Sequence, residues 1–196
     1  VWVQANWSSG LKYQRIALKI EDYVLKSADL VVTVSDVNRD DLLGRGISSE
    51  KIVNYPNCID PTYYNPDRFS LPQKESTRKD LGFSGKDLVF TFIGTFGIWH
   101  GVEFLAESIV RLVDHHADFI DRKKVKFLII GDGLLGDRVR DMLCCKPYER
   151  YVTFTGLVPQ TEAPRYLAAS DAFVSPHIRQ EGKFIGSPTK LFEYMA

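Results

Sequence analysis

The sequence predicts an α/β fold built on a doubly wound parallel sheet. In the second half of the chain, short apolar runs alternate with longer amphipathic segments, which is the pattern of strands joined by helices. The runs are apolar throughout, as expected where helices cover both faces of a parallel sheet. A glycine-rich or capped turn follows each run, at the sheet edge where such folds bind ligands.

The first part of the chain predicts two helices and two short strands. Apolar residues recur with helical spacing through residues 11–26, which predicts an amphipathic helix. Ser35 offers an N-cap for a second helix, which Gly44 or Gly46 can end. The short strands are predicted at residues 30–34 and 52–53.

A proline-rich stretch separates the two parts of the chain. Four prolines fall between positions 56 and 72, with Asn and Asp among them, and this composition marks a linker. We therefore predict the end of an N-terminal domain at residues 1–55, an interdomain linker at 56–72 and a C-terminal domain at 73–196.

The C-terminal domain predicts four strands in alternation with helices. Strands are expected at residues 88–92, 125–130, 151–154 and 172–174, and helices at 102–115, 136–143, 162–169 and from about Pro188 onward. The chain stops at Ala196 inside the last helix, without a C-cap signal, and the first part is too small to hold a core alone. We expect a fragment that is truncated at both ends.

Charge and composition exclude several classes of function. Lys and Arg total 25 and are balanced by 25 Asp and Glu, so no general electrostatic attraction to nucleic acid is expected. No apolar run approaches the roughly 18 to 20 residues of a membrane span. Three cysteines in no disulfide or metal-binding pattern favour reduced thiols, and therefore a cytoplasmic protein.

A dinucleotide fingerprint is present only in part. Residues 131–136 match GxGxxG and follow a predicted strand. The ribose-binding acid expected about 20 residues later is missing, because the next strand ends in Phe154-Thr155-Gly156. A nicotinamide or flavin site is therefore not predicted.

The start of the last helix carries a more specific signal. Ser187 and Pro188 suit the first positions of a helix, whose exposed amides attract a diphosphate, and Lys190 adds a cation in the first turn. Glu193 lies on the same face, where its carboxylate could accept both hydroxyls of a ribose. The alternatives are that Lys190 reaches solvent, or that it pairs with Glu193 within the helix.

Taken in chain order, several segments resemble retaining glycosyltransferases of family 4, a GT-B group that includes transferases of bacterial surface polysaccharides. The resemblance rests on ADLVVTVS at residues 28–35, KIVNYPNCID at 51–60, FIG at 92–94, IGDG at 130–133, FTG at 154–156 and SPTKLFEYMA at 187–196. It covers essentially the whole chain and implies a GT-B fold, with a Rossmann-like C-terminal domain and the tail of an N-terminal one.

The resemblance implies that the C-terminal domain binds a nucleoside-diphosphate sugar. Glu193 matches the second Glu of the family's E-x7-E motif, which is expected to bind ribose. The implied donor-binding residues are Gly94, His100, Gly131, Gly133, Leu134, Leu157, Val158, Gly186, Ser187, Thr189, Lys190 and Glu193. Catalytic residues cannot be assigned, because family members take part of them from the N-terminal domain.

Three positions depart from the family pattern. Ile185 stands where the first Glu of the motif is expected, and Glu181 and Lys183 are the two candidates to substitute for it. Thr95 and His100 replace two diphosphate-binding cations, and Arg179 or Lys190 could restore the charge. His100 is expected either to touch phosphate or to cap the helix that follows it.

The implied reaction is retaining transfer of a sugar to an acceptor hydroxyl in polysaccharide or glycoconjugate biosynthesis, with no cofactor and no metal. The acceptor would be a sugar or a lipid-linked sugar, and the missing N-terminal domain could give peripheral contact with the inner membrane. The isolated fragment is expected to be inactive. A nucleotide-sugar epimerase, a nicotinamide-dependent oxidoreductase and an inactive nucleotide-binding module remain as alternatives.

Overall fold

The computed structural model describes residues 13–178 and 187–196. These residues fall into two compact units. One holds residues 13–58 with Ser187 and Pro188, and the other holds residues 59–178 with 189–196. No helix in the described parts of the chain is both long enough and apolar enough to cross a membrane.

The first unit contains a two-stranded parallel sheet and two helices. Its elements are α1 (Gln14–Ser27), β1 (Val31–Thr33), α2 (Asp36–Gly44), a 3-10 turn (Ser49–Lys51) and β2 (Ile52–Asn54). The strands pair in register from Val31 with Ile52 onward. The hydroxyl of Ser35 accepts the backbone N–H of Asn38 at 3.2 Å, so the predicted N-cap of α2 is confirmed.

The second unit is a four-stranded parallel sheet with helices. Its elements are α3 (Pro61–Tyr64), α4 (Leu71–Asp80), β3 (Leu88–Ile93), α5 (Val102–Lys123), β4 (Val125–Ile130), α6 (Gly136–Leu143), β5 (Val152–Gly156), α7 (Ala163–Ala168), β6 (Ala172–Phe173) and α8 (Thr189–Met195). The strand order is β5-β4-β3-β6 and every pair is parallel. The chain thus leaves β3 in one direction and later returns to its other side, which is the arrangement of a doubly wound sheet.

Both faces of this sheet are buried. Along β4, Phe127 and Ile129 belong to a core cluster with residues of α5 and α6, whereas Leu128 and Ile130 pack on the opposite face. Side chains on a strand alternate between its two faces, so this division places a core on each side of the sheet. The predicted doubly wound α/β fold is confirmed.

Helix α5 is longer than predicted. We expected it to end near His115, but it continues to Lys123, with a kink at His116 where φ is −139° and ψ is 30°. The prediction was wrong because the apolar face resumes after the kink, and Ile120 is fully buried. Two helices that we did not expect, α3 and α4, lie between Pro56 and Leu88.

Candidate functional site

A cleft of about 370 Å³ lies in the second unit, at the carboxyl ends of the parallel strands. Ligands bind at this edge of open α/β sheets, beside the strands where the winding direction changes. The wall is formed by the turns after β3, β4 and β5, by α8 and by one residue of α3. The lining residues are Tyr64, Ile93, Gly94, Thr95, His100, Ile130, Gly131, Leu157, Val158, Gln160, Ala163, Thr189, Lys190 and Glu193.

Lys190 places a buried cation in this cleft. The residue is only 5% exposed, and its Nζ lies 4.2 Å from the centroid of the Phe92 ring. Within residues 13–178 and 187–196, this Nζ has no hydrogen-bond partner. Burial lowers the pKa of Lys190 to about 8, while the charge of Glu193 acts in the opposite direction. A buried ammonium that no described residue hydrogen-bonds is costly, and a bound anion would offset that cost.

The turn after β3 leaves the space that Lys190 fills. Gly94 has φ of +150°, and a Cβ on this residue would lie 2.7 Å from the Lys190 Nζ. The turn after β4 packs directly on it, since a Cβ on Gly131 would lie 2.0 Å from the carbonyl oxygen of Gly94. Side chains at these two positions would therefore close the floor of the cleft.

Glu193 is held by a tyrosine hydroxyl. The hydroxyl of Tyr64, a buried residue at the end of α3, donates to Oε1 of Glu193 at 3.1 Å. Burial raises the pKa of Glu193, and the contact with Tyr64 opposes that shift. No hydrogen bond joins Glu193 to Lys190 in the described chain, because Lys190 Nζ has no partner there. The two opposite charges nevertheless act on each other's pKa, so the alternative of an intrahelical pair is reduced to an electrostatic contact without a hydrogen bond. The alternative of a Lys190 exposed to solvent is wrong.

His100 faces a second histidine. The rings of His100 and His177 lie edge to face, with centroids 5.4 Å apart, and the Ser175 hydroxyl lies 2.9 Å from Nδ1 of His177. Burial, followed by the nearby charge of Lys190, lowers the pKa of each histidine to about 4. The two rings are therefore neutral near pH 7. The N-cap of α5 is Gly101, without a side-chain cap, so His100 does not cap that helix.

Backbone contacts fix the two loops that carry these histidines. The N–H of Ile178 donates to the carbonyl of Trp99 at 3.1 Å. Gly101 has φ of +71°, and a Cβ there would lie 1.8 Å from the carbonyl oxygen of Pro176. The turn after β3 and the segment after β6 are thus in direct contact.

Three of the predicted donor-binding residues lie outside the cleft lining. Gly133 donates its N–H to the side chain of Asp132 at 2.8 Å, which closes the turn, and the Leu134 side chain is 80% exposed. Helix α8 begins at Thr189, and the Ser187 hydroxyl accepts the backbone N–H of Asn57 at 3.1 Å. Gly186 lies outside the described residues, as do Arg179, Glu181, Lys183 and Ile185.

Tyr64 and Gln160 line the cleft, although neither was predicted from the sequence as a site residue. Tyr64 falls in the predicted linker, whose proline content predicts no regular structure. A signal was present: Asp60 caps α3 through the N–H of Thr62, and Pro61 occupies its first turn. That helix start predicts an ordered segment, although it does not predict the contact with Glu193.

A protein-family model described as glycosyl transferases group 1 matches residues 87–196. The chain belongs to this family. The match covers β3 through α8, and hence every lining residue of the cleft except Tyr64. No curated protein matches the chain.

Solved glycosyltransferase structures share the fold. HepE from Anabaena, solved in complex with UDP, has a TM-score of 0.65 at 18% identity, over 83% of this chain and 42% of its own. WaaG, a glycosyltransferase involved in lipopolysaccharide biosynthesis, has a TM-score of 0.68 at 14% identity, over 86% of this chain and 44% of its own. The catalytic domain of starch synthase IV from Arabidopsis thaliana, bound to ADP and acarbose, has a TM-score of 0.60 at 18% identity, over 82% of this chain and 37% of its own.

The solved structures show which fold this chain has and how much of a related protein it spans. The chain spans less than half the length of the solved structures that it matches. The fold prediction, an α/β protein of the GT-B type, is confirmed by the parallel sheet of the second unit together with this likeness.

Proposed function

We propose that the cleft binds a nucleoside-diphosphate sugar and that the protein transfers its sugar to an acceptor hydroxyl with retention of configuration. The observation that carries the proposal is Lys190, a buried ammonium without a hydrogen-bond partner in the described chain, at the ligand-binding edge of the sheet. A diphosphate supplies charged oxygens that can accept hydrogen bonds from this group. The UDP and ADP bound in the related structures are ligands of that kind.

Different lining residues would bind different parts of the donor. Lys190 and the backbone of Gly94 and Gly131 form the diphosphate end of the cleft, where a small residue is needed for close approach. Glu193 would accept the ribose hydroxyls, and Leu157 with Val158 would flank the base. These assignments of ribose and base are the ones that the family resemblance implies.

Catalysis would be electrostatic at the leaving group. When the bond between the anomeric carbon and the β-phosphate oxygen breaks, the departing diphosphate gains negative charge. The acceptor oxygen forms the new bond to the anomeric carbon, and its hydroxyl proton passes to the departing phosphate oxygen. A cation already placed in a site of low dielectric stabilises that charge without reorganisation. The proposal requires neither a cofactor nor a metal.

The wider role remains part of the proposal. A sugar or lipid-linked acceptor in polysaccharide or glycoconjugate synthesis is consistent with the likeness to WaaG. A cytoplasmic protein with peripheral membrane contact would suit such an acceptor. The 196-residue chain alone is expected to bind the donor without completing transfer, because part of the acceptor site is predicted to belong to the N-terminal domain.

Calorimetric titration of this chain with UDP, GDP and ADP tests the donor assignment. We expect one-to-one binding of at least one nucleotide, and weaker binding of the matching monophosphate because it lacks the second phosphate. Binding to none of the three would overturn the proposal. Mass spectrometry of the products of the full-length protein then separates the reactions, since a transferase yields a glycoside and an epimerase yields a free epimerised sugar.

A further inference from the structure

Tyr64 joins the end of α3 to the nucleotide cleft. The residue is 8% exposed and lines the cleft, and its hydroxyl donates to Oε1 of Glu193 at 3.1 Å. Helix α3 is anchored by Asp60, whose carboxylate accepts the N–H of Thr62 at 2.8 Å. The contact links residues 129 positions apart, both in the second unit.

Tyr64 and Lys190 are alternative partners for the carboxylate of Glu193. Lys190 and Glu193 are three residues apart on one helix, a spacing at which opposite charges commonly pair. In the structure Glu193 is bound by Tyr64, and Lys190 Nζ has no hydrogen-bond partner among the described residues. A Lys190 paired with Glu193 would already be neutralised and would bind a diphosphate less well.

We propose that Tyr64 is a positioning residue of the nucleotide site: its hydroxyl holds the Glu193 carboxylate away from Lys190, which leaves the ammonium for diphosphate and the carboxylate for ribose. This inference rests on the proposed function and adds a role for a residue outside the family match, which begins at residue 87.

A tyrosine suits this role chemically. Burial, and then the negative charge of Glu193, raise the pKa of Tyr64 to about 12, so the hydroxyl stays protonated and remains a donor. A neutral donor holds the carboxylate without cancelling its charge. An ionised carboxylate can accept about four hydrogen bonds, so one bond from Tyr64 leaves acceptor sites for two ribose hydroxyls.

The substitution Tyr64→Phe removes the hydroxyl and keeps the ring. Titrations with UDP and with inorganic pyrophosphate then measure the two ends of the site separately. We expect UDP to bind about tenfold more weakly, the effect of losing one hydrogen bond to a charged group. Pyrophosphate should also bind more weakly, because Glu193 becomes available to pair with Lys190.

The pH profile of pyrophosphate binding gives a readout that altered packing would not move. Lys190 faces Glu193 on its own helix and the imidazoles of His100 and His177 from the turns after β3 and β6. In the unsubstituted chain, binding should weaken above about pH 8, where Lys190 loses its proton. In the Tyr64→Phe variant that decline should move to higher pH, because pairing with Glu193 raises the pKa of Lys190.

Two further variants make the experiment decisive. Tyr63→Phe, in the same short helix, should bind both ligands like the unsubstituted chain. In a Glu193→Gln background, Tyr64→Phe should have little further effect, since both changes act on one contact. The role of Tyr64 would be overturned by an unchanged affinity and pH profile in Tyr64→Phe. It would also be overturned if Tyr64→Phe weakened binding as much in the Glu193→Gln background as in the unsubstituted chain. Either result would leave the proposed function standing. If the unsubstituted chain binds neither pyrophosphate nor any nucleoside diphosphate, the proposed function fails as well.

Discussion

The ammonium of Lys190 lies 4.2 Å from the centroid of the Phe92 ring, inside a cleft where no described residue offers it a hydrogen bond. A buried cation–π contact contributes about 2 kcal/mol, which replaces only part of the hydration that the ammonium loses. The protein therefore carries an unfavourable charge at the carboxyl end of its sheet. The proposed binding of an anion would offset this cost.

The first prediction concerns stability. Lys190→Met removes the buried charge and keeps an unbranched side chain of similar length, so it should stabilise the ligand-free protein. Because burial lowers the pKa of Lys190 from 10.5 to about 8, the gain should be on the order of 3 kcal/mol near neutral pH. Thermal unfolding should show a rise in Tm on the order of 10 °C.

Lys79→Met provides the control for this experiment. Lys79 is an exposed residue of α4 in the same unit, so its substitution should change Tm very little. A Lys190→Met variant that melts at or below the Tm of the unsubstituted protein would show that burial of the ammonium does not destabilise the protein.

The second prediction concerns the histidine pair. The pKa values of His100 and His177 are about 4 in the folded protein and about 6.5 in the unfolded chain. Between these values the unfolded state binds more protons, so the contribution of the pair to stability is complete above pH 6.5 and is lost as the pH falls toward 4. Replacing both residues with Phe should flatten the pH dependence of the free energy of unfolding in this window.

Denaturant titrations at several pH values measure that slope. The same double substitution at His115 and His116, two exposed residues of α5 that do not line the cleft, is the comparison. A slope that is identical in the His100 and His177 variant would contradict neutral, buried imidazoles in the site.

The third prediction separates two glycines. A methyl group on Gly131 would meet the backbone oxygen of Gly94 at 2.0 Å, whereas one on Gly94 would meet the flexible end of Lys190 at 2.7 Å. Gly131→Ala should therefore destabilise the protein more than Gly94→Ala, by at least about 1 kcal/mol, since backbone cannot move aside as a side chain can. Gly94→Ala should reduce affinity for pyrophosphate, because it displaces the ammonium.

Gly85→Ala is the control for both glycine variants, since a Cβ at Gly85 has no atom within 4 Å. Chemical denaturation gives the three free energies of unfolding, and calorimetry gives the three affinities. Equal losses of stability at Gly94 and Gly131 would argue against the close packing of the two turns.

Much of the sheet could be predicted from the sequence. Strand β4 has the predicted bounds, Val125–Ile130, because a continuous apolar run between turn residues leaves few alternatives. Helix α4 was not predicted, since Thr77 is its only buried residue within the described chain and the helix therefore shows no apolar period. Its start depends on the capping box of Ser70 and Gln73, a local signal that is easily overlooked beside prolines.

Some features of the site could likewise be predicted from the sequence, and others could not. Lys190 and Glu193 could be predicted because both lie on one helix whose start is marked by Ser187 and Pro188. The desolvation of Lys190 and the contact between Tyr64 and Glu193 depend on how distant segments pack, and no sequence spacing reports that. The pairing of His100 with His177 was missed for the same reason, since it joins turns that follow two different strands.

The most direct test of the account compares UDP binding by the unsubstituted protein with binding by Lys190→Met, with Lys79→Met as control. If the Lys190 ammonium holds the diphosphate, Lys190→Met should bind at least about thirtyfold more weakly, the loss of a charge-assisted contact. The control should bind UDP normally. Equal affinities for the unsubstituted protein and Lys190→Met would contradict the central claim that this buried charge is the anion site.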